Sequence, residues 1–384
     1  MFKDVYLRMK NKFFLCSPVN GCESNSYLGS RIVEFFKRNG WEFVNKSKFA
    51  EYIIINSCGA VKSTESQTIK LIEFFLKRYG EGEKKIIVCG CLPRINKNLG
   101  KYEGVRIIKN LEEFNELVNS KLDVRGLEVN QFKKGLYHIE EYNLDDHFVI
   151  KIASGCMGNC SYCSVKFAIG GLRSKAIKVV LTEFKKGIEQ GYDKFYLIGD
   201  DCGCYGQDIG TSLVELLKEM FKIKKDIKVS LNYIEPEWLV KLYSGLKKFF
   251  IENKIGYVRI PLQSGSDRIL ELMNRHYKIK DALEAIDEIR GTAIIDTYLI
   301  VGFPTEEKED FMKSVEASKH FDKATFRVYS DRPNTVAAKM FPKVIMKEIK
   351  ERMVIVMEMM KKAGNIDLNL SGEVMGDTKD GLVV

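Results

Sequence analysis

The sequence lacks the features of membrane-bound and secreted proteins. No window approaches the roughly 20 consecutive apolar residues that a membrane-spanning helix needs. The first residues do not combine a basic segment, an apolar segment and a small-residue cleavage site, so we expect no signal peptide. The chain also has no internal repeat and no low-complexity segment. We therefore expect a globular, cytoplasmic protein without a membrane partner.

The charge balance does not identify a partner. The 384 residues carry a formal net charge of +9, and this mild excess permits an anionic partner such as RNA without requiring one. The lysines are scattered, which is more typical of solvated helix faces than of a nucleic-acid-binding stripe. Charge alone therefore leaves both RNA and protein substrates open.

Cysteine is the residue type that stands out. The chain contains 10 cysteines, and a reducing cytoplasm disfavours structural disulfides. So many thiols in one such chain favour metal ligation or redox chemistry over cross-linking.

Strand and helix patterns alternate in two parts of the chain, so the predicted fold class is α/β. Residues 1–125 predict an open parallel sheet with helices on both faces. The polar segment 126–147 has no clear period and is predicted to be a linker. Residues 148–364 contain six β-α units, too few for a closed eight-stranded barrel, and predict a partial (βα)6 barrel. The tail 365–384 is too short for a domain, although it could add one strand.

The predicted strands of the two parts have these bounds: Phe13–Ser17, Glu51–Asn56, Lys85–Val88, Val105–Ile108, Phe148–Ala153, Lys194–Ile198, Lys228–Leu231, Tyr257–Pro261, Ile294–Val301 and Ala324–Tyr329.

Three cysteines follow the spacing Cys-x3-Cys-x2-Cys in the segment SGCMGNCSYCSVKF: Cys156, Cys160 and Cys163. Three thiolates can hold three irons of a 4Fe-4S cluster and leave the fourth iron open, whereas four cysteines leave none. An open iron can bind S-adenosylmethionine (SAM), whose reductive cleavage gives methionine and a 5′-deoxyadenosyl radical. The motif follows the first predicted barrel strand, at the edge where barrel active sites form. A structural zinc site is disfavoured because no second Cys-x2-Cys pair follows.

A second set of three cysteines lies in the first part of the chain. Cys22, Cys58 and Cys91 each come just after a predicted strand. Because the loops after parallel strands share one edge of the sheet, we expect these thiols to converge. They predict an auxiliary 4Fe-4S cluster, with buried structural cysteine as the alternative.

The other four cysteines are interpreted differently. Cys16 and Cys89 lie in or beside strands and are predicted to be small core residues. Cys202 and Cys204 follow a barrel strand in the segment DDCGCYG. They either line the active site or are inert.

Several segments together resemble the methylthiotransferase family of radical SAM enzymes, over about residues 10–360. In the first part these are GCESN, NSCGAVKSTES and VCGCLPR, which contain Cys22, Cys58 and Cys91. In the second part they are CMGNCSYCSVKFAIGGLRSK, PLQSGSDRILELMNRHY, IVGFPTEEKEDF and YSDRPNTVAAKM. The order of these segments, rather than any later one alone, makes the resemblance specific.

The resemblance implies an activity and its cofactors. One SAM donates a methyl group to sulfur at the auxiliary cluster. A second SAM is cleaved at the cluster held by Cys156, Cys160 and Cys163, and an unactivated C–H of the substrate becomes C–S–CH3. The implied cofactors are therefore two 4Fe-4S clusters and SAM, with an electron donor such as flavodoxin or ferredoxin.

Four residues are predicted to contact SAM: Tyr162, Gln263, Ser264 and Arg332. Tyr162 resembles the aromatic residue that packs near the adenine in radical SAM sites, and Arg332 could orient a carboxylate. Family members also usually carry an acidic SAM contact in the second barrel strand, and our alignment by eye places Lys194 there.

The substrate cues conflict. The segment DDCGCYGQD resembles the ribosomal-protein branch of the family, which favours a Tyr-Gly-x-Asp pattern there (Tyr205 to Asp208), whereas PLQSGS is closer to the tRNA branch. The family usually ends in a small β-barrel domain that grips the substrate, and only 365–384 stand in its place, so we expect that domain to be missing from this chain. We therefore predict a peptide or protein side chain, for example in a ribosomally made natural-product precursor, over tRNA. The alternatives are a tRNA adenosine methylthiotransferase and another radical SAM enzyme whose auxiliary cluster relays electrons.

Overall fold

The computed structural model describes residues 11–17, 22–80, 82–120, 122–133, 146–362 and 367–371. The chain divides into two compact units, with the boundary between Asp145 and Asp146. Within the described ranges, no helix is long and apolar enough to cross a membrane.

Unit 1 is built on a parallel sheet with the strand order β2-β1-β3-β4-β5. The strands are β1 (Lys12–Cys16), β2 (Glu42–Phe43), β3 (Tyr52–Ser57), β4 (Lys85–Gly90) and β5 (Val105–Ile107). The α-helices are α1 (Glu23–Arg38), α2 (Lys62–Tyr79), α3 (Leu92–Ile95) and α4 (Glu113–Leu117). Short 3-10 helices lie at Ser47–Phe49, Lys97–Lys101 and Val124–Gly126.

The sheet of unit 1 is covered on both faces, as predicted. Successive residues of β1 point to opposite faces, so Phe13 packs in one apolar cluster and Phe14 in the other. The central strand β3 is buried along its whole length, which explains its continuous apolar sequence. Leu127 is buried in the first of these clusters, so the start of the predicted linker packs onto unit 1.

Unit 2 contains an open parallel sheet with the strand order β14-β13-β12-β11-β10-β9-β6. The strands are β6 (Phe148–Lys151), β9 (Lys194–Ile198), β10 (Lys228–Tyr233), β11 (Ile255–Arg259), β12 (Ile294–Val301), β13 (Lys323–Val328) and β14 (Asp367–Ser371). A separate antiparallel ribbon joins β7 (Ala153–Ser154) to β8 (Arg173–Ser174).

Helices alternate with the strands of unit 2. They are α5 (Lys166–Ile169), α6 (Ile177–Glu189), α7 (Leu213–Ile223), α8 (Pro236–Ile251), α9 (Asp267–Leu272), α10 (Ile279–Ile289), α11 (Lys308–Ser318) and α12 (Met346–Lys362), with a 3-10 turn at Ala337–Lys339.

The predicted fold class is confirmed in both units. Every predicted strand is present, and its bounds differ from the prediction by no more than two residues. The tail supplies β14, which pairs with β13 in parallel and makes the sheet seven-stranded. Our prediction missed β2 and the β7–β8 ribbon, because strands of two residues are too short to show a period.

Candidate active site and iron–sulfur ligands

The loop that carries Cys156, Cys160 and Cys163 follows β6 and β7, at the carboxyl edge of the sheet of unit 2. All strands of that sheet are parallel, so the loops after β9, β10, β11 and β13 lie at the same edge. Of the predicted site residues, Tyr162 lies in the cysteine loop, Gln263 and Ser264 follow β11, and Arg332 follows β13.

The three thiols of this loop fit a 4Fe-4S cluster. The backbone N–H of Gly158 donates to the Cys156 sulfur at 3.1 Å, and backbone N–H groups of Val165 and Lys166 point to the Cys163 sulfur. Such N–H donors to ligand sulfurs are typical of iron–sulfur sites. A Cβ at Gly158 would lie 3.3 Å from the Cys156 sulfur and 3.8 Å from the Cys160 sulfur, so glycine keeps the space between these two thiols open.

Burial affects all three thiols. It raises the pKa of Cys160 to about 11 and raises the pKa values of Cys156 and Cys163. Metal binding would deprotonate them. Among the described residues, no three His, Cys, Asp or Glu side chains converge on one metal ion, so the fit rests on the donor set and its N–H groups.

The segment that follows α9 holds the cysteine loop in place. Ser161 donates from its N–H to the Met273 carbonyl at 2.9 Å and from its hydroxyl to the Leu272 carbonyl at 2.7 Å. The Asn274 side chain donates to the carbonyl of Asn159 at 2.9 Å. The conformation of the loop therefore depends on residues more than 100 positions away in the chain.

Two carboxylates follow β9 at the same edge. Asp200 accepts a hydrogen bond from the N–H of Gly155 at 2.7 Å. Asp201 is buried, and one of its oxygens accepts from the N–H of Gly203 at 2.9 Å. Its other oxygen has no hydrogen-bond partner among the described residues. Burial, together with the nearby charge of Glu235, raises the pKa of Asp201.

Our placement of Lys194 at the acidic SAM-contact position was wrong. Lys194 is the first residue of β9 and forms an ion pair with Asp146. It therefore lies at the amino end of the strand, opposite the cysteine loop. The acidic residues at the carboxyl end are Asp200 and Asp201, so the family's acidic position remains available in this chain.

The predicted SAM contacts differ in their surroundings. Gln263 has a φ of +70° and links β11 to β12, because its N–H donates to the Tyr298 carbonyl at 2.8 Å. The buried Ser264 hydroxyl lies 3.3 Å from that of Ser314 in α11. Arg332 is buried after β13, and the Tyr162 hydroxyl accepts a hydrogen bond from Arg275.

Tyr205 and Asp208, the residues that suggested the ribosomal-protein branch, bind the backbone of their own chain. The Tyr205 hydroxyl donates to the Lys175 carbonyl at 2.8 Å. The Asp208 carboxylate accepts from the N–H of Ser174 at 2.9 Å. Both residues therefore fasten the loop after β9 to the segment around β8.

In unit 1, Cys58 and Cys91 follow residues that are paired across two strands. Ser57 of β3 is the register partner of Gly90 of β4, and the N–H of Cys91 donates to the Ser57 carbonyl at 3.1 Å. Adjacent strands lie roughly 4.8 Å apart, so the backbones of Cys58 and Cys91 are neighbours.

A pair of buried asparagines ties Cys22 to the same edge. Cys22 is the residue before α1, and Asn25 lies in the first turn of that helix. The Asn25 side chain donates to the Asn56 side-chain oxygen at 3.2 Å, and the Asn56 amide donates to the Asn25 carbonyl at 2.8 Å. Because Asn56 belongs to β3, the start of α1 is held beside the strand that precedes Cys58.

Cys16 and Cys89 are core residues, as predicted. Their thiols are buried and donate to the carbonyls of Ile54 and Ile55. Burial raises the pKa of Cys16 to about 12 and that of Cys89 still further.

Cys202 and Cys204 are both buried, but in different surroundings. Cys202 packs in the main apolar core of unit 2. The Cys204 thiol donates to the Asp201 carbonyl at 3.3 Å and accepts from the N–H of Met157. Cys204 therefore contacts the cysteine loop, whereas Cys202 is a core residue.

The sequence-based predictions missed Glu235 and Arg275. Glu235 follows β10, and a charged residue at the carboxyl end of a barrel strand is a usable signal. Arg275 lies between α9 and α10, where no periodic pattern marks it. Its side chain is 1% exposed and forms an ion pair with Glu235, and a buried charge of this kind is recognisable only in the folded chain.

Both units of the chain are similar to known proteins. Residues 150–317 match the model of the Radical SAM superfamily, and residues 16–110 match the Uncharacterized protein family UPF0004. The probable threonylcarbamoyladenosine tRNA methylthiotransferase of Pyrococcus abyssi is 32% identical over 83% of this chain and 77% of its own length. The chain belongs to the radical SAM methylthiotransferase family. The resemblance predicted from the sequence is confirmed.

Two further similarities extend this result. The ribosomal protein uS12 methylthiotransferase RimO of Alkaliphilus oremlandii is 32% identical over 89% of this chain and 80% of its own length. The radical SAM methyltransferase TsrM from Kitasatospora setae has a TM-score of 0.57 and 12% identity, over 86% of this chain and 77% of its own. At that identity TsrM supports the fold alone. Family membership makes the chain an enzyme with SAM and a 4Fe-4S cluster as cofactors.

Proposed function

We propose that this methylthiotransferase acts on tRNA, at an adenosine that already carries a threonylcarbamoyl group. The similarity to the Pyrococcus abyssi protein carries the proposal, because that relative is named for this substrate. A protein of Thermotoga maritima with the same substrate in its name is 29% identical over 93% of the chain. These similarities favour the tRNA alternative over the peptide substrate that we predicted first.

The geometry after β9 supports the same choice. The Tyr-Gly-x-Asp pattern was the cue for a protein substrate, yet Tyr205 and Asp208 bind the backbone of Lys175 and Ser174. These contacts give both residues a role within the chain, so the pattern no longer needs a protein substrate to explain it. The protein-substrate alternative therefore rests on the similarity to the RimO relative.

In this proposal the two sets of thiols hold two clusters with different roles. Cys156, Cys160 and Cys163 would hold the cluster at which SAM is cleaved, and Cys22, Cys58 and Cys91 would hold the auxiliary cluster. When bound, the first cluster would supply the electron that cleaves SAM into methionine and the 5′-deoxyadenosyl radical, and the auxiliary cluster would supply the sulfur of the methylthio group. Electrons would come from a donor such as flavodoxin or ferredoxin. The Asn25–Asn56 contact and the Ser57–Gly90 register support the second part of this proposal, because they hold the backbones next to these cysteines at one edge of the sheet.

The substrate is tested with reconstituted, anaerobic full-length protein, SAM and a reductant. We expect nucleoside mass spectrometry to find methylthio-threonylcarbamoyladenosine in tRNA that carries the threonylcarbamoyl group. The matched control is tRNA from cells that cannot add this group. Methylthiolation of purified uS12, with no methylthio-nucleoside in either tRNA, would refute the tRNA proposal.

The division between the clusters is tested with two variants. Cys22→Ala should abolish methyl transfer to sulfur on the protein and spare the release of 5′-deoxyadenosine. Cys156→Ala should abolish 5′-deoxyadenosine release and retain part of the methyl transfer. Loss of the same activity in both variants would show that the two sets of thiols do not act separately.

A further inference from the structure

Arg275 is a buried cation beside the cysteine loop of unit 2. Its guanidinium donates to the carbonyl of Pro261 at 2.6 Å and to the hydroxyl of Tyr162 at 3.1 Å. It also donates to the Glu235 carboxylate at 3.1 Å. A residue with so many fixed partners keeps its charge in one place, because the planar guanidinium binds several acceptors at once.

The contact with Tyr162 connects Arg275 to a predicted cluster ligand. Tyr162 stands between Cys160 and Cys163, and its hydroxyl hydrogen-bonds the Cys160 sulfur. Arg275 donates to the same hydroxyl oxygen, so the hydroxyl proton is free to point at the sulfur. The three residues form a relay in the order Arg275, Tyr162, Cys160.

The charge of Arg275 also acts on the cysteine loop. Its guanidinium donates to the Tyr162 hydroxyl at 3.1 Å, and Tyr162 lies between the predicted ligands Cys160 and Cys163. Glu235 carries the opposite charge and forms an ion pair with Arg275. The two members of this ion pair therefore have opposite electrostatic effects on one sulfur atom.

Lys166 is a second cation near the loop. Its ammonium lies 3.3 Å from the Cys160 carbonyl and 2.6 Å from the side-chain oxygen of Asn159. The contact with Asn159 is solvent-exposed, where water screens charge. The buried Arg275 is the stronger candidate because it lies in a medium of lower effective dielectric constant.

We propose that Arg275 is a positioning residue that raises the reduction potential of the radical SAM cluster, through its charge and through the Tyr162 hydrogen bond to Cys160. The inference rests on the proposed function, since it takes Cys156, Cys160 and Cys163 as the cluster ligands. Reduction adds one electron, and a fixed positive charge stabilises the reduced cluster more than the oxidised one. Hydrogen bonds to ligand sulfurs act in the same direction. Glu235 moderates the effect.

The test is a redox titration followed by electron paramagnetic resonance. The full-length chain would carry Cys22→Ala, Cys58→Ala and Cys91→Ala, so that only the radical SAM cluster contributes a signal. We expect Arg275→Gln to lower the ratio of reduced to oxidised cluster about tenfold at a fixed potential, which is 59 mV for a one-electron couple. Glu235→Gln should raise that ratio.

If charge is the cause, Arg275→Gln and Glu235→Gln should shift the ratio of reduced to oxidised cluster in opposite directions. Loosening of the loop would move both variants in the same direction, and that result would overturn the inference. The matched control is Lys280→Gln, which removes an exposed positive charge from α10 and should leave the ratio unchanged. An Arg275→Gln variant that matches this control would also overturn it.

Two further variants separate the charge from the hydrogen bond. Arg275→Lys keeps the charge and should leave the ratio of reduced to oxidised cluster close to that of the native residue. This variant also keeps the test informative if Arg275→Gln does not fold. Tyr162→Phe removes the hydrogen bond and should shift the ratio in the same direction as Arg275→Gln but by less. A shift in Arg275→Lys as large as that in Arg275→Gln would contradict the role of the charge. Absence of any cluster signal, even with native Arg275, would instead count against the proposed function.

Discussion

Gly90 places Cys91 beside Cys58, and we predict that Gly90→Ala disrupts this arrangement. Gly90 has a φ of +91° and is the register partner of Ser57. A Cβ at this position would lie 2.2 Å from the Ser57 carbonyl oxygen and 2.9 Å from the Ser57 nitrogen. Both atoms belong to the backbone of the central strand, so they cannot move aside as a flexible side chain would.

The expected cost has two parts. An L-residue with positive φ loses about 1–2 kcal/mol relative to glycine. Forcing a methyl group into packed surroundings costs typically about 1–3 kcal/mol more. We therefore expect Gly90→Ala to lower the free energy of unfolding of unit 1 by about 2–5 kcal/mol, with β4 displaced from β3 where the cysteines follow.

The assay uses the two tryptophans of the chain. Trp41 belongs to unit 1, where its ring centroid lies 4.5 Å from that of Tyr52, and Trp238 belongs to unit 2. In a Trp238→Phe background, tryptophan fluorescence during urea denaturation reports on unit 1. Iron analysis of the reconstituted protein supplies a second readout, with about four irons expected instead of about eight.

Gly40→Ala is the matched control. Gly40 also has a positive φ, of +78°, but a Cβ there meets nothing within 4 Å. Gly40→Ala should therefore lower the free energy of unfolding by only the backbone contribution of about 1–2 kcal/mol. The variant should keep about eight irons. If Gly90→Ala lost no more stability than Gly40→Ala and kept its iron, the close approach of Gly90 to Ser57 would not position the auxiliary cysteines.

Three further predictions concern the thiols and one buried histidine. Asn56→Ala should cost about 1–3 kcal/mol, because it leaves buried partners unsatisfied, and iron analysis should show loss of the auxiliary cluster. Cys89→Ala should keep about eight irons and Cys58→Ala about four; equal iron contents would contradict the assignment of Cys89 to the core. Burial lowers the pKa of His147, so the unfolded chain binds more protons and stability should fall as the pH drops below about 6.5. His147→Gln should flatten that slope in thermal melts, whereas His320→Gln, at a site where the ring is less buried, should not.

The strands and the cysteine motif of unit 2 were predictable because their signals are local. Continuous apolar runs such as β3 identify buried parallel strands without knowledge of their neighbours. The spacing of Cys156, Cys160 and Cys163 indicates a three-thiolate cluster by itself, since one short loop carries all three ligands. The rule that parallel strands end at one edge of a sheet predicted that Cys58 and Cys91 would be backbone neighbours. The convergence of their thiols with that of Cys22 stays a prediction.

Other features became visible only in the folded chain. Lys194 was wrongly placed at the SAM-contact position, although the predicted strand already began with it. Its ion pair with Asp146 at the amino end of β9 became visible only in the folded chain. Tyr205 and Asp208 were interpreted as substrate cues, although they bind a neighbouring loop. The partners of Tyr205 and Asp208 lie in or next to β8, and the two-residue pairing of β7 with β8 is too short to leave a pattern in the sequence.

Local signals in the sequence were enough to predict the fold class, the longer strands and the three thiols of the radical SAM motif, because each depends on residues within a few positions of one another. The charges that surround those thiols depend on the tertiary structure, because they come from distant positions in the chain. Arg275 and Tyr162 are 113 positions apart, and only the packing of the α9–α10 segment under the cysteine loop brings them within hydrogen-bonding distance. Asn25 and Asn56 likewise come into contact only in the folded chain, where the start of α1 lies beside β3.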